Sequence, residues 1–147
     1  MKTIRQIIKE KESNIWSTSP ETHVFDALSL MAEKSVGALL VMEDQRIIGI
    51  FSERDYARKV ILKGKSSKDI FVREIMSTNV RFITPEQTCD QALGLMTEKK
   101  IRHLPVMNDD ELIGIVSIGD LVKAVIDDQK KTINKLEKYI LEVNPSI

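Results

Sequence analysis

The chain has 147 residues, a length that suits one compact domain of ordinary size. Its 22 Lys and Arg balance 22 Asp and Glu, so no overall field draws it to nucleic acid or an anionic membrane, and any attraction must be local. A single cysteine, Cys89, excludes an internal disulfide and fits a reducing compartment; MKTIRQIIKEKES lacks the apolar core of a signal peptide, and no stretch reaches the length of a membrane span, so a cytoplasmic protein is expected.

In chain order, residues 3–9 form a short amphipathic segment carrying Ile4, Ile7 and Ile8. A weakly marked strand is expected over 14–17, followed by a turn at Ser19-Pro20. Val24, Ala27, Leu28 and Met31 then recur at helical spacing. Apolar runs at 38–42 and 47–51 flank the acidic turn Glu43-Asp44-Gln45, which predicts an antiparallel hairpin of buried strands. A second helix begins at Ser52. The series then repeats: a clearer strand over 80–83, a Thr84-Pro85 turn, and a helix carrying Cys89, Ala92, Leu93 and Met96. A hairpin of 104–107 and 112–116 and a helix from Ser117 complete it. VREIM at 72–76 resembles IRQII at 4–8, so the duplication includes an introductory turn of helix with a changed spacer. In the tail, Ile126, Ile133 and Ile140 lie seven apart with Leu136 and Val143 between, a helical stripe that packs on this subunit or on a partner's.

The repeat is direct. Pro20 superposes on Pro85, and from there to Val60 and Val125 the two copies align without a gap. Identities include Ala27/Ala92, Met31/Met96, Leu39/Leu104, Val41/Val106, Gly49/Gly114, Ser52/Ser117 and Asp55/Asp120. Copies this small are marginal alone, so they are expected to pack together around one shared core. The expected division is a first repeat at 1–68 with the lead-in and a basic connecting helix, a second repeat at 69–126, and a helical tail at 127–147.

The run from the helix through IRHLPVMNDDELIGIVSIGD closely resembles the cystathionine-beta-synthase (CBS) domain, and two in tandem resemble the CBS pair, or Bateman module, here over about residues 3 to 126. The resemblance implies an α/β fold: two βαββα repeats related by a pseudo-twofold axis, sheets packed together, two clefts between them. It further implies a non-catalytic regulatory module that binds adenosine-containing ligands in those clefts. AMP, ADP, ATP, S-adenosylmethionine and NAD or NADH are the compounds in question. With no other domain on the chain, the regulated protein is a separate, unidentified partner, and the module is expected to be a homodimer with no nucleic-acid or membrane partner and no catalytic cofactor. A ligand-independent dimeric scaffold is the alternative.

The family's nucleotide signature occurs twice, as Gly49-Ile50-Phe51-Ser52-Glu53-Arg54-Asp55 and Gly114-Ile115-Val116-Ser117-Ile118-Gly119-Asp120. Ser52 and Ser117 stand at helix N-termini, where free N–H groups and the dipole favour phosphate. Asp55 and Asp120, one turn on, offer carboxylates to a ribose diol. The glycine is expected to leave room for a base to approach the backbone. The same Ser-x-x-Asp pattern is also what a helix cap with an acidic first turn looks like, and both roles can coexist. At the entry to the second copy's central strand, Arg102 and His103 replace Gly37 and Ala38. By resemblance the basic pair reaches phosphate, while Gly37, Ala38, Ile50 and Ile115 form an adenine-side wall.

Arg54 and Arg58 head a basic run with Lys59, Lys63, Lys65 and Lys68. If the helix from Ser52 persists, Arg54, Arg58 and Lys65 share a face and give the first site a longer phosphate chain to hold. Gly64-Lys65-Ser66 lacks the first glycine of a phosphate-binding loop, Lys59 standing in its place. His23, His103 and Cys89 are unpatterned for zinc, and Cys89 fits an apolar helical stripe. No catalytic set and no metal site are expected.

Overall fold

The computed structural model describes residues 1–11 and 15–143; Asn14, at the start of the first expected strand, lies outside the described residues. The elements are α1 (Ile4–Glu10), β1 (Ser17–Thr18), α2 (Val24–Lys34), β2 (Ala38–Glu43), β3 (Arg46–Ser52) and α3 (Glu53–Tyr56), which runs on into a π-helical turn at Ala57–Ile61. Then come α4 (Val72–Ile75), α5 (Cys89–Lys99), β4 (His103–Asn108), β5 (Glu111–Ser117) and α6 (Ile118–Val143). Packing gathers the chain into two units, one of Ile15–Val80 and one of Met1–Asn14 with Arg81–Ile147. No helix among the described residues is long and apolar enough to cross a membrane.

Each unit is built on the expected hairpin, and the two hairpins share one register. Leu39 faces Phe51 and Val41 faces Gly49; Leu104 faces Val116 and Val106 faces Gly114. Both bulge at the same place, leaving Ile48 or Ile113 unpaired shortly after the turn. Asp44 and Gln45 have φ of 51° and 64°, the positive values that a two-residue loop needs at both central positions to match strand twist. On one face of the first hairpin, Leu39, Val41 and Phe51 pack with Val24, Ala27 and Met31 of α2. Leu104, Val106 and Val116 repeat this with Cys89, Ala92 and Met96 of α5. The Cys89 thiol is buried, which raises its pKa, and its Sγ donates to the Leu121 carbonyl at 3.3 Å; it is core.

The opening strands reverse the expected order of strength. β1 pairs parallel with β2 over two residues, and the Leu40 N–H donates to the Trp16 carbonyl at 3.3 Å. In the second copy that donor position is Pro105, which has no N–H, so pairing shrinks to a single bridge between Ile83 and Val106.

Each unit has its own cluster of buried apolar residues. The lead-in helices are exchanged between the copies. Ile4 and Ile7 of α1 are buried in the second copy's core, while Val72 and Ile75 of α4 are buried in the first's. Matching bonds seat both helices. Ile4 N–H donates to Gln87 O at 2.9 Å and Arg5 N–H to Pro85 O at 2.9 Å; Val72 N–H donates to Thr22 O at 2.8 Å and Arg73 N–H to Pro20 O at 3.0 Å. Arg5 pairs with Glu86 as Arg73 pairs with Glu21, at 2.7 and 2.9 Å. Packing thus gathers residues 15–80 into one unit and joins the first fourteen residues to the second copy.

α6 carries the second copy's closing helix on to Val143, a single helix of 26 residues.

Candidate ligand-binding site

The strands end where the motif begins. Ser52 is the last residue of β3 and Ser117 the last of β5, and each hairpin sets the serine opposite the first residue of its partner strand. Ala38 faces Ser52 and His103 faces Ser117. The carbonyls just before those strands join in: Gly37 O accepts from Glu53 N–H at 3.1 Å, and Arg102 O accepts from Ile118 N–H at 2.9 Å. Gly37, Ala38, Ser52 and Asp55 therefore come together in one unit, and Arg102, His103, Ser117 and Asp120 in the other. Ile50 and Ile115, two residues before each serine, lie on the same sheet face and are partly exposed.

Both motifs form reciprocal caps. Asp55 N–H donates to Ser52 Oγ at 3.2 Å, while Asp55 Oδ2 accepts from the Ser52 N–H and hydroxyl, both at 3.0 Å. Asp120 N–H donates to Ser117 Oγ at 3.2 Å, and Asp120 Oδ2 accepts from Ser117 N–H at 2.8 Å. The capping role is thus present in both copies. Neither carboxylate is spent on it, since each also takes a bond from the lead-in helix's exit.

Those exits differ in chemistry. In the first unit Ser77 follows α4, exchanges two 2.9 Å backbone bonds with Ile50, and donates its hydroxyl to Asp55 Oδ1 at 3.1 Å. In the second unit Lys11 follows α1; its ammonium donates to Ile115 O at 2.8 Å and to Asp120 Oδ2 at 2.7 Å. One ammonium replaces a backbone N–H and a hydroxyl. Lys59, from the π-helical turn, adds a 3.2 Å ion pair to Asp55 and donates to Ile75 O at 3.0 Å. Burial by itself would raise the Asp120 carboxyl, but the Lys11 ammonium and the Ser117 amide outweigh it and hold it below the ordinary value. The imidazole of His103 is pushed down, first by burial and then by the Lys11 charge.

Ser77 and Lys11 were not among the residues picked out from the sequence, and Lys59 was named only as part of the basic run. The likeness of VREIM to IRQII was the available signal, but it does not say that each lead-in serves the other copy. Arg54 and Arg58 are exposed, on α3 and the π-helical turn. The helix ends at Ile61 and the chain turns through Gly64 at a φ of 68°, so Lys65 does not share their face. Gly49 and Gly114 sit within strands, and the space over them is filled by the lead-ins rather than left for a base. A Cβ on Gly49 would lie 2.8 Å from Met76 Sδ, and one on Gly114 3.0 Å from Ile8 Cδ1. Among the described residues, no three His, Cys, Asp or Glu side chains gather as metal ligands.

Comparison with known proteins agrees with this geometry. The family model for the CBS domain matches twice, at residues 4–62 and 72–127. The mitochondrial CBS domain-containing protein CBSX3 of Arabidopsis thaliana is 41% identical over 148 aligned positions, covering 94% of this chain and 71% of that protein. A signal-transduction protein with CBS domains from Burkholderia ambifaria superposes with a TM-score of 0.84 at 51% identity, over 86% of this chain and 96% of that one. The CBS pair of protein MJ0100, solved with 5′-methylthioadenosine and S-adenosylmethionine, shares the fold with a TM-score of 0.75 at 18% identity, over 87% and 98% of the chains. Two matched repeats, each with its own hairpin, capped Ser-x-x-Asp and borrowed lead-in helix, make this chain a member of the CBS-domain family.

Proposed function

We propose that the protein is a non-catalytic sensor that binds adenosine-containing ligands and, as a homodimer, alters the activity of a separate partner protein. The observation that carries this is the pair of Ser-x-x-Asp groups, each with a part-buried carboxylate beside the mouth of a hairpin. A ribose diol matches such a carboxylate, donating two hydroxyls to two acceptor oxygens. Ser52 and Ser117 hold phosphate through their hydroxyls. Arg102 and His103 add charge at the second site, and Arg54 and Arg58 at the first. Gly37, Ala38, Ile50 and Ile115 supply the apolar side for adenine. The adenosyl ligands of the MJ0100 CBS pair support the ligand class, with AMP, ATP and NAD or NADH as the remaining choices. Signalling follows by population shift: a ligand favours whichever state of the module it binds better, and a partner reads that state.

Titration calorimetry with AMP, ATP, NAD, NADH and S-adenosylmethionine tests the proposal, repeated with Asp55→Ala and Asp120→Ala. Binding that each substitution removes at one site supports it. Silence from every adenosine compound, with the folded protein verified free of carried-over ligand, would favour a ligand-independent dimeric scaffold instead.

A further inference from the structure

Beyond Val125, which still packs against the second unit's core, the apolar side chains of α6 are exposed. Leu121 and Ala124 are buried in the second unit's core, and the Asp128 carboxylate accepts the Lys2 N–H at 3.2 Å. From Gln129 to Val143 every residue is exposed. This length still carries an apolar seam: Val122, Ile126, Ile133, Leu136, Ile140 and Val143, none less than 45% exposed. They alternate in steps of three and four, save that Gln129 takes one place. That is the 3.5-residue period of two helices wound together, not the 3.6 of a helix lying on a globular core. A helical arm of this length is marginal in water without tertiary contacts.

Charge selects what covers it. Flanking the seam are Lys130 and Glu137, seven apart. Laid antiparallel on a second α6, Ile133 meets the second copy's Leu136 and Ile126 meets its Val143. Each Lys130 then faces the second copy's Glu137, and the pair occurs twice about the twofold axis. Turned parallel, the flanking positions set Val125 against Lys130 and Thr132 against Glu137, with no opposite charges matched. We infer that α6 binds α6 of a second copy in an antiparallel two-helix seam running from Ile126 to Val143. Gln129, opposite Ile140, puts one polar residue in the seam, which fixes the register at some cost in stability. This deepens the dimer proposed above and does not depend on any nucleotide.

Sedimentation equilibrium of the full chain, with and without Ile133→Asp, tests it. Ile133 is 53% exposed on its own subunit, in the length of α6 where every residue is exposed, so the variant is expected to keep its circular dichroism and denaturation midpoint measured at monomer concentrations. Ile133→Asp is expected to weaken self-association about a hundredfold. Lys130→Glu or Glu137→Lys alone weakens it about tenfold, because both symmetric pairs turn repulsive, and the double reversal restores it. Wild-type protein that stays monomeric overturns both the seam and the dimer. Self-association unchanged by Ile133→Asp overturns the seam alone and leaves a dimer built elsewhere. Failure of the double reversal to restore it overturns the antiparallel pairing.

Discussion

Asp55 and Asp120 are the same residue in two copies, yet they are held by groups of different charge. Hydroxyls of Ser52 and Ser77 and the more distant Lys59 hold Asp55, whereas the Lys11 ammonium at 2.7 Å dominates at Asp120. Lys11 and Asp120 are each about a quarter exposed, so their pair is worth more than a surface ion pair and less than a fully buried one. Lys11→Met is expected to cost about 1 kcal/mol at neutral pH, read by urea denaturation. The pH dependence has a definite sign. The folded Asp120 carboxyl lies below its unfolded value of about 4, so its contribution is present above that pH and fades as pH falls through the depressed folded value. Without Lys11, burial is less opposed and the folded value rises, so acid unfolding of Lys11→Met should begin at a higher pH than wild type. Equal acid midpoints would show that the ammonium does not hold this carboxylate.

At the level of elements, the lead-in helices and the hairpins fit through two glycines, and the fit is tighter in the first unit. An added Cβ at Gly49 meets both Met76 Sδ at 2.8 Å and the Ser77 carbonyl at 2.9 Å, and a backbone atom cannot swing aside. At Gly114 it meets only the Ile8 side chain, at 3.0 Å or more. Gly49→Ala should therefore destabilise by about 1–3 kcal/mol and Gly114→Ala by less than about 1 kcal/mol, measured as shifts in urea midpoint at constant slope. The same fit explains why the glycine is present in both copies although it does not open a place for a base. Strand identity, too, was decided between elements. The 80–83 segment has more apolar character than 14–17, yet Pro105 on the neighbouring strand withholds the N–H that would extend the pairing.

For the molecule as a whole, crossing of the lead-ins makes one unit continuous in sequence and the other not. Every residue of the first unit's core, from Val24 to Ile75, lies between 15 and 80. The second unit's core needs Ile4 and Ile7 from the far end of the chain. Expressed alone, a fragment of residues 15–80 is expected to keep dispersed amide resonances. A fragment of residues 81–147 should keep them only when a peptide of residues 1–14 is added. Losing two fully or nearly buried isoleucines from so small a core removes about 2–5 kcal/mol each, more than such a unit has to spare. Native dispersion of residues 81–147 without the peptide would mean that the borrowed helix is dispensable.

Legible in the residues alone are the duplication, the order of helix and hairpin, both motif serines and aspartates, and the seven-spaced stripe of the tail. All of these depend on periodicity and local chemistry: apolar spacing, turn residues, and caps that close within four residues. The folded chain settled which copy each lead-in completes and that Ser77 and Lys11 back the two aspartates. It also decided that the tail's stripe is left uncovered. IRQII and VREIM share one apolar pattern, so their assignment cannot be read from that pattern. It depends on where the chain's path brings them, and seating bonds between residues fifty or more positions apart leave no trace in local spacing.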